Sequence, residues 1–519
     1  MSDLFPVTAL GPVVLLGAAA VALARPGPRP GAFPKLAEGA ALTAFALALA
    51  GLMQFLFAGP AQLTLAQGPL ALILRADAVS ATMALLVGFI GWIVMRYARS
   101  YLDGSAREGT FHGQMLATLA AVLVLVQAGS LLVLILAFVA VGTGVRHLLL
   151  FYPDRPAARR AATKFAWVWH AGDAALILAA ALLLLAFGTG DLAQITAAAG
   201  AGLPIAAHIA VALVVLAAAL KTATFPLHGW LTEVMEAPTP VSALLHAGII
   251  NAGGVLLITL SPLMQASPGA MAALVMVGGL TALFGAVVML TQSAVKTALA
   301  WSTVSQMGFM LLQCGLGLWP LALLHIVAHS MYKAHAFLSS GGAITAVGDL
   351  RRPGPIAVPD VAAVARAFAL ALALYGVVAL GFTLIAGSKT PQALALGGIL
   401  IFGVAYLVAQ GLADAAPVAL MRRVGLASIG AALAYFGFQQ IAGVLWADLP
   451  AAPTAGPLEW ALIVLTVLSF GLVAVAQALF PLWAHHPAMT GLRVHLANGL
   501  YLNAALDRLI GGFRRTRTD

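Results

Sequence analysis

The segment LHIVAHSMYKAHAF, residues 324–337, places His325, His329 and Lys333 four residues apart. Four-residue steps put side chains on one face of a helix, here a stripe ~12 Å long at about 1.5 Å per residue. A neutral imidazole takes a proton on one nitrogen and releases one from the other. Two histidines beside a lysine therefore have the composition of a proton relay. The same residues also suit a structural polar ladder, or a zinc pair at His325 and His329. No carboxylate or cysteine stands at helical spacing to complete such a zinc site. His335 follows in the same segment.

A second cluster lies in KTATFPLHGWLTEVMEAPTPVSALLHAGIINAGG, residues 221–254. Lys221 closes an apolar run, and Pro226 is expected to break the helix at or just after it. Pro238 and Pro240 precede the next run, with Thr239 and Ser242 available to cap it. An interrupted helix at membrane depth is tolerated where it lines a cavity or is buried in protein. The break would expose backbone groups together with His228, Glu233 and Glu236, and His246 lies one turn beyond Ser242. Lys296 opens KTALAWSTVSQMGFM, followed by Ser302, Thr303, Ser305 and Gln306. Those residues could line a pore or join helices, and Lys296 could instead snorkel to the interface. In KFAWVWHAGD, His170 and Asp173 are spaced to pair.

These residues need elements to hold them, and composition says which. Of 519 residues, 62% are hydrophobic and 8% charged, against about 25% charged in soluble chains. Mean hydropathy is +1.02. A soluble enzyme, a disordered chain and a nucleic-acid binder are excluded. About fifteen apolar runs are each long enough to cross a bilayer. Their limits are near 6–24, 37–58, 77–96, 114–129, 130–151, 164–187, 204–224, 241–260, 269–291, 296–315, 318–346, 362–386, 390–412, 417–447 and 459–484. Gly129-Ser130 alone divides the fourth from the fifth. The first run reads as a retained helix, lacking a basic leader and a cleavage site.

Alternating those runs puts the basic clusters on one side: Arg25, Arg29 and Lys35; Arg96, Arg99 and Arg107; Arg155, Arg159 and Arg160; Arg351 and Arg352; Arg422 and Arg423; and the tail arginines. Arg75 and Lys389 fall on the other side, with Asp191, Asp448 and Glu459. By the positive-inside rule the N-terminus is outside and the tail cytoplasmic. Loop arginines against an anionic leaflet also explain the net charge of +9 without nucleic acid. The lone Cys314 lies within an apolar run and reads as packing. What remains is Arg146, His147, His170, Asp173, His208, Lys221, His246, Lys296, His325, His329, Lys333 and His335 inside apolar runs. Each charge at the bilayer centre costs about 2.5–3.5 kcal/mol even on lenient scales, so they are expected to face one another in an internal polar seam. The tail from 494 to 513 reads as one amphipathic helix, lying on the inner leaflet or docking a partner. The organisation expected is 1–113 N-terminal helices, 114–386 a core with a broken helix near 221–240, 387–484 C-terminal helices and 485–519 the tail.

Three of these segments resemble signatures of one family. KTATFPLHGWLTEVMEAPTPVSALLHAG, KTALAWSTVSQMGFM and HIVAHSMYKAHAFL are similar, in that order, to the antiporter-like subunits of respiratory complex I and of Mrp cation/proton antiporters. More narrowly, AHSMYKAHAFLSSGG, RHLLLFYPDRPAARRAATKF and VHLANGLYLNAALDRL resemble the DabB type, membrane subunits of bacterial inorganic-carbon accumulation systems. The resemblance implies an all-α, polytopic inner-membrane protein of about 14–15 transmembrane helices with broken helices. It implies a transport subunit, not an enzyme, whose cation flow (protons, or sodium) drives carbon dioxide hydration to bicarbonate on a DabA-type partner. That large, zinc-containing partner resembles β-carbonic anhydrases; this chain itself would hold no metal or cofactor, and would touch lipid but not nucleic acid. The alternative is a proton-translocating subunit of a complex I-type quinone oxidoreductase or Mrp antiporter. Carried over by motif, Lys221 is the proton-exchanging lysine, His246 the histidine on the next helix, and Lys333 the central lysine beside His325 and His329. Cations would enter near Lys221 and His246 and leave at the cytoplasmic surface. Complex I subunits pair the first lysine with a glutamate in a Trp-Glu-Gly stretch. The corresponding LAFVAVGTGVRHLLLFY, residues 136–152, has no carboxylate, which leaves Asp173, Glu233 or Glu236 as substitutes.

Overall fold

Away from water, only internal hydrogen bonds satisfy a peptide group, so apolar runs of this length fold as helices. The structure, a computed structural model, describes residues 4–340, 360–411 and 418–509. Each predicted span coincides with a helix: α1 (Leu10–Leu23), α2 (Phe33–Ala58), α3 (Ala78–Tyr101), α4 (Glu108–Val126), α5 (Leu131–Leu149) and α6 (Pro156–Phe187) come first. A short α7 (Leu192–Ala198) leads to α8 (Ile205–Lys221). After an interruption holding α9 (Gly229–Thr232) come α10 (Thr239–Ala247), α11 (Ala252–Thr259), α12 (Ser261–Gln265), α13 (Pro268–Met289), α14 (Val295–Gly315) and α15 (Trp319–Ser339). The C-terminal part comprises α16 (Val361–Ala386), α17 (Pro391–Gly411), α18 (Val418–Leu445), α19 (Pro457–Ala478), α20 (Phe480–Trp483), α21 (Pro487–Ala497) and α22 (Leu502–Leu509). Ten helical stretches among the described residues, α10 and α11 together counting as one, are long and apolar enough to cross a membrane. Helices α14 and α15, at 21 residues each, fall outside that set because polar residues dilute their apolar runs. Arg351, Arg352 and the tail beyond Leu509 lie outside the described residues.

Charge sorting has a physical counterpart in loop contacts. On the Arg-rich face, Gly109 N–H donates to the Gly27 carbonyl at 3.2 Å, and Arg107 donates to the carbonyls of Leu150 and Phe151 at 3.0 Å. The other face carries an unpredicted antiparallel hairpin, β1 (Ala61–Ala66) with β2 (Leu72–Ala76). Its Ile73 carbonyl accepts from Gly129 N–H at 2.9 Å, which pins the α4–α5 turn. A side chain at 129 would come within 2.6 Å of Ile73. Ser130 then caps α5, so two residues suffice to separate two spans. Arg75 lies 3.7 Å from Asp191 on this face.

One large apolar cluster fills the N-terminal and central helices, with smaller separate clusters among the C-terminal helices, and glycine sets the closest helix approach. Along α13 and α14, added Cβ atoms would lie 2.5 Å from the Leu312 nitrogen at Gly278 and 2.4 Å from the Ala282 nitrogen at Gly308. Small residues let helix backbones touch in this way.

The interruption falls where expected, and it is followed by a second, unexpected one. Helix α8 ends at Lys221; a loop, α9 and a 3₁₀ turn over Val234–Glu236 follow before α10. Helix α10 then stops at Gly248 (φ −121°, ψ −71°), and a 3₁₀ turn at Ile249–Asn251 leads into α11. The predicted span 241–260 is thus two helices. Asn251 supplies the polar group the break needs, donating to the Ala247 carbonyl at 3.1 Å and to Ser330 Oγ at 2.9 Å. Capping of α10 also differs: Pro238 is its N-cap with no side-chain bond, and Thr239 Oγ1 instead accepts from Lys296 at 3.3 Å.

Candidate ion path

Helices α6 and α8 pack side by side, and their polar residues meet inside the protein. Lys221 Nζ lies 2.5 Å from Asp173 Oδ1, with a lysine side chain 0% exposed and an aspartate 6% exposed. The ammonium also sits 4.2 Å above the Trp169 ring and 4.6 Å above Phe138, a cation–π cage. Gly172 leaves room for the lysine stem, since a Cβ there would meet Lys221 Cε at 3.3 Å. The second carboxylate oxygen of Asp173 lies 3.0 Å from His170 Nδ1, and that imidazole is half exposed. The carboxylate missing from 136–152 is therefore supplied by the next helix. A buried charge this close to its counter-charge loses about 3–5 kcal/mol when either partner is removed.

Further along the interior, His246 Nδ1 lies 3.0 Å from Thr303 Oγ1, and its ring stacks on Phe337 at 4.3 Å. Phe337 is one turn beyond Lys333 on α15. Lys333, fully buried, donates to the Leu299 carbonyl at 2.9 Å. Among the described residues it has no carboxylate in an ion pair. His329 is buried with no protein hydrogen-bond partner on either nitrogen. Its ring is 6.0 Å from that of His325, whose Nδ1 meets Gln313 Oε1 at 2.7 Å. Helix α14 thus supplies Leu299, Thr303 and Gln313 along the stripe of α15. Gln313 had a visible signal, an amide within the apolar stretch MGFMLLQCG.

Other predicted residues sit elsewhere. Glu233 Oε1 pairs with Lys164 Nζ at 2.6 Å, and the same nitrogen is 2.6 Å from Asp507 and from Asn503 Oδ1. Lys164 is 0% exposed. It lies in the first turns of α6, four residues beyond Arg160, and no spacing in the sequence marks it as buried. Glu236 faces Arg155 at 4.0 Å on the surface. His228 is buried among Trp301, Phe284 and Phe225. His335 is exposed, about 200° around α15 from Lys333. Arg146 and His147, in the last turn of α5, and His208, in the first turn of α8, are exposed too. A single seam containing all of them is corrected: Arg146, His147, His208 and His335 lie on the outer surface of the helices and do not enter the interior. Among the described residues no group of three or more His, Cys, Asp or Glu could hold a metal ion.

The tail also departs from expectation. Positive φ at Gly499, Leu500 and Tyr501 breaks it between α21 and α22. Asp507 is buried while Leu509 is 84% exposed, so α22 turns polar residues toward the protein.

This architecture of interrupted helices around interior lysines and histidines defines an antiporter-like, ion-translocating membrane subunit. Residues 128–387 match the family model described as NADH:quinone oxidoreductase/Mrp antiporter, and residues 64–112 match that of the complex I chain 5 N-terminus. The chain is 37% identical to the probable inorganic carbon transporter subunit DabB2 of Halothiobacillus neapolitanus, covering 96% of this chain and 92% of that protein. It is 36% identical to NADH-quinone oxidoreductase subunit L of Mycobacterium tuberculosis over 54% of this chain and 45% of that one. A chain in the Mrp complex from Dietzia sp. DQ12-45-1b has the same fold, with TM-score 0.63 and 24% identity, covering 99% of this chain and 60% of that one. The chain belongs to the DabB family of antiporter-like membrane subunits.

Proposed function

We propose that this protein is the cation-conducting subunit of an inorganic-carbon accumulating complex in a bacterial inner membrane. Cation entry, of protons or sodium, energises hydration of carbon dioxide to bicarbonate on a large zinc-containing DabA-type partner. This chain contributes the ion path and no catalytic group, and the zinc belongs to the partner. The observation that carries the reading is the buried Lys221–Asp173 pair, together with buried His246, Lys333 and His329 and the half-buried His325 beside His329. Lys221 can exchange its proton against Asp173, while the histidines and Lys333 offer successive donor and acceptor sites. The membrane field adds about 2.3 kcal/mol per charge per 100 mV, which gives the hydration step its direction. Full-length similarity to a probable inorganic carbon transporter subunit supports this reading. The half-length similarity to subunit L supports a second one, a subunit of a quinone oxidoreductase or Mrp assembly.

The test is a pair of variants, Lys221→Met and Lys333→Met, in cells that depend on the complex at ambient carbon dioxide. Expected are loss of growth with the partner still co-purifying, and recovery at raised carbon dioxide. Unchanged growth would refute conduction through this path. Co-purification with many membrane subunits and no zinc protein would favour the second reading.

A further inference from the structure

The Lys164 centre joins α6 and the interruption after α8 to the C-terminal tail. Its ammonium has three polar partners, and two of them, Asn503 and Asp507, come from the tail segment. The third, Glu233, belongs to the interruption after Lys221, and Asn503 Nδ2 donates to the same Glu233 oxygen at 2.6 Å. The tail is fitted, not merely laid on. At Gly229 a Cβ would fall 2.0 Å from Asn503 Oδ1, so only glycine admits that side chain. Gly499, at φ +55°, sits with its Cβ direction 3.2 Å from Trp301 and 3.8 Å from His228 Nε2. Gln292 donates to the Ala497 carbonyl at 3.3 Å, joining the segment to the α13–α14 turn. Behind it, Phe165, Trp230 and Trp169 pack ring on ring, at centroid distances of 5.3 and 6.2 Å from Trp230, and lead to the Lys221 cage.

We propose that residues 498–509 are a lid over the Arg-rich end of the ion path, held shut by Asn503 and Asp507 on Lys164. Closed, the lid keeps Lys164 and His228 from water. Lifted, it removes two of the three partners of Lys164 and opens Glu233 to the aqueous phase. Leu500, Tyr501 and Leu509 are already exposed, while partly buried Leu506 packs against the core, so lifting must release that one apolar contact along with the polar ones. Local openings of this kind draw on the least-buried parts of a structure. The ion-conducting role of the lid rests on the function proposed above; its mechanical role does not.

The two parts are tested separately on the full chain with its partner. In Gly229→Cys/Asn503→Cys the two Cβ positions are 3.3 Å apart, close to the spacing a disulfide takes. Oxidation should abolish proton flux into vesicles, and reduction should restore it. Equal flux in both states overturns the lid as a gate. The other arm follows labelling of His228→Cys by a charged thiol reagent, with the buried Cys314 as silent background. Adding Asp507→Lys, which sets two cations against each other, should speed labelling about tenfold. An unchanged rate overturns the lid itself. A chain that conducts in neither redox state would defeat the proposed function, and labelling would still decide the lid.

Discussion

Asp173 and Lys221 show how much depends on one separation. At 2.5 Å, with both side chains buried, the pair is stable only while both charges are present. Asp173→Asn should destabilise the protein by about 3–5 kcal/mol, read as a lower unfolding temperature in detergent. Replacing both, Asp173→Leu with Lys221→Met, should recover most of that stability and none of the ion flux. His329 predicts the opposite division. Both ring nitrogens lack a protein partner, and an unmade hydrogen bond in the interior is costly. His329→Leu should therefore match or exceed the wild type in stability while flux falls by at least about tenfold. A ladder held only for structure would lose stability instead.

At the scale of elements, the helices are packed by glycine as much as by leucine. Gly278 faces the backbone of α14 at 2.5 Å, whereas at neighbouring Gly279 a Cβ would meet nothing within 4 Å. Gly278→Leu should cost at least about 1–3 kcal/mol by overpacking and sharply reduce the folded yield in membranes. Gly279→Ala should change stability by less than ~1 kcal/mol. Thermal unfolding of the two purified variants checks the contrast. The interruptions follow the same logic of local sterics. Pro226 announced the first, but the second, at Gly248, has no proline; Asn251 satisfies the Ala247 carbonyl there and is itself held by Ser330 on α15. A partner 79 residues away leaves no local mark.

For the whole molecule, the sorting of arginines makes a topological prediction. A membrane-impermeant thiol reagent added outside intact cells should label Gln67→Cys, in the exposed hairpin turn, and not Asp154→Cys in the exposed α5–α6 loop. The reverse pattern would invert the orientation. The sequence was readable at this scale because hydropathy and loop charge report directly on the solvent each segment meets. All fifteen expected spans have helices in register with them, and His325, His329 and Lys333 on α15 were recognisable from four-residue spacing.

Membership in the class, the positions of the apolar helices and the stripe at His325, His329 and Lys333 followed from sequence, because bilayer thickness and helical period are one-dimensional constraints. Tertiary structure decided the partners. Only packing of α6 against α8 brings Asp173 to Lys221, and only the return of the tail brings Asp507 to Lys164. It also sent Arg146, His147, His208 and His335 outward. Two charges may be 48 or 343 residues apart along the chain, and whether they meet depends on how helices pack, which no local pattern encodes.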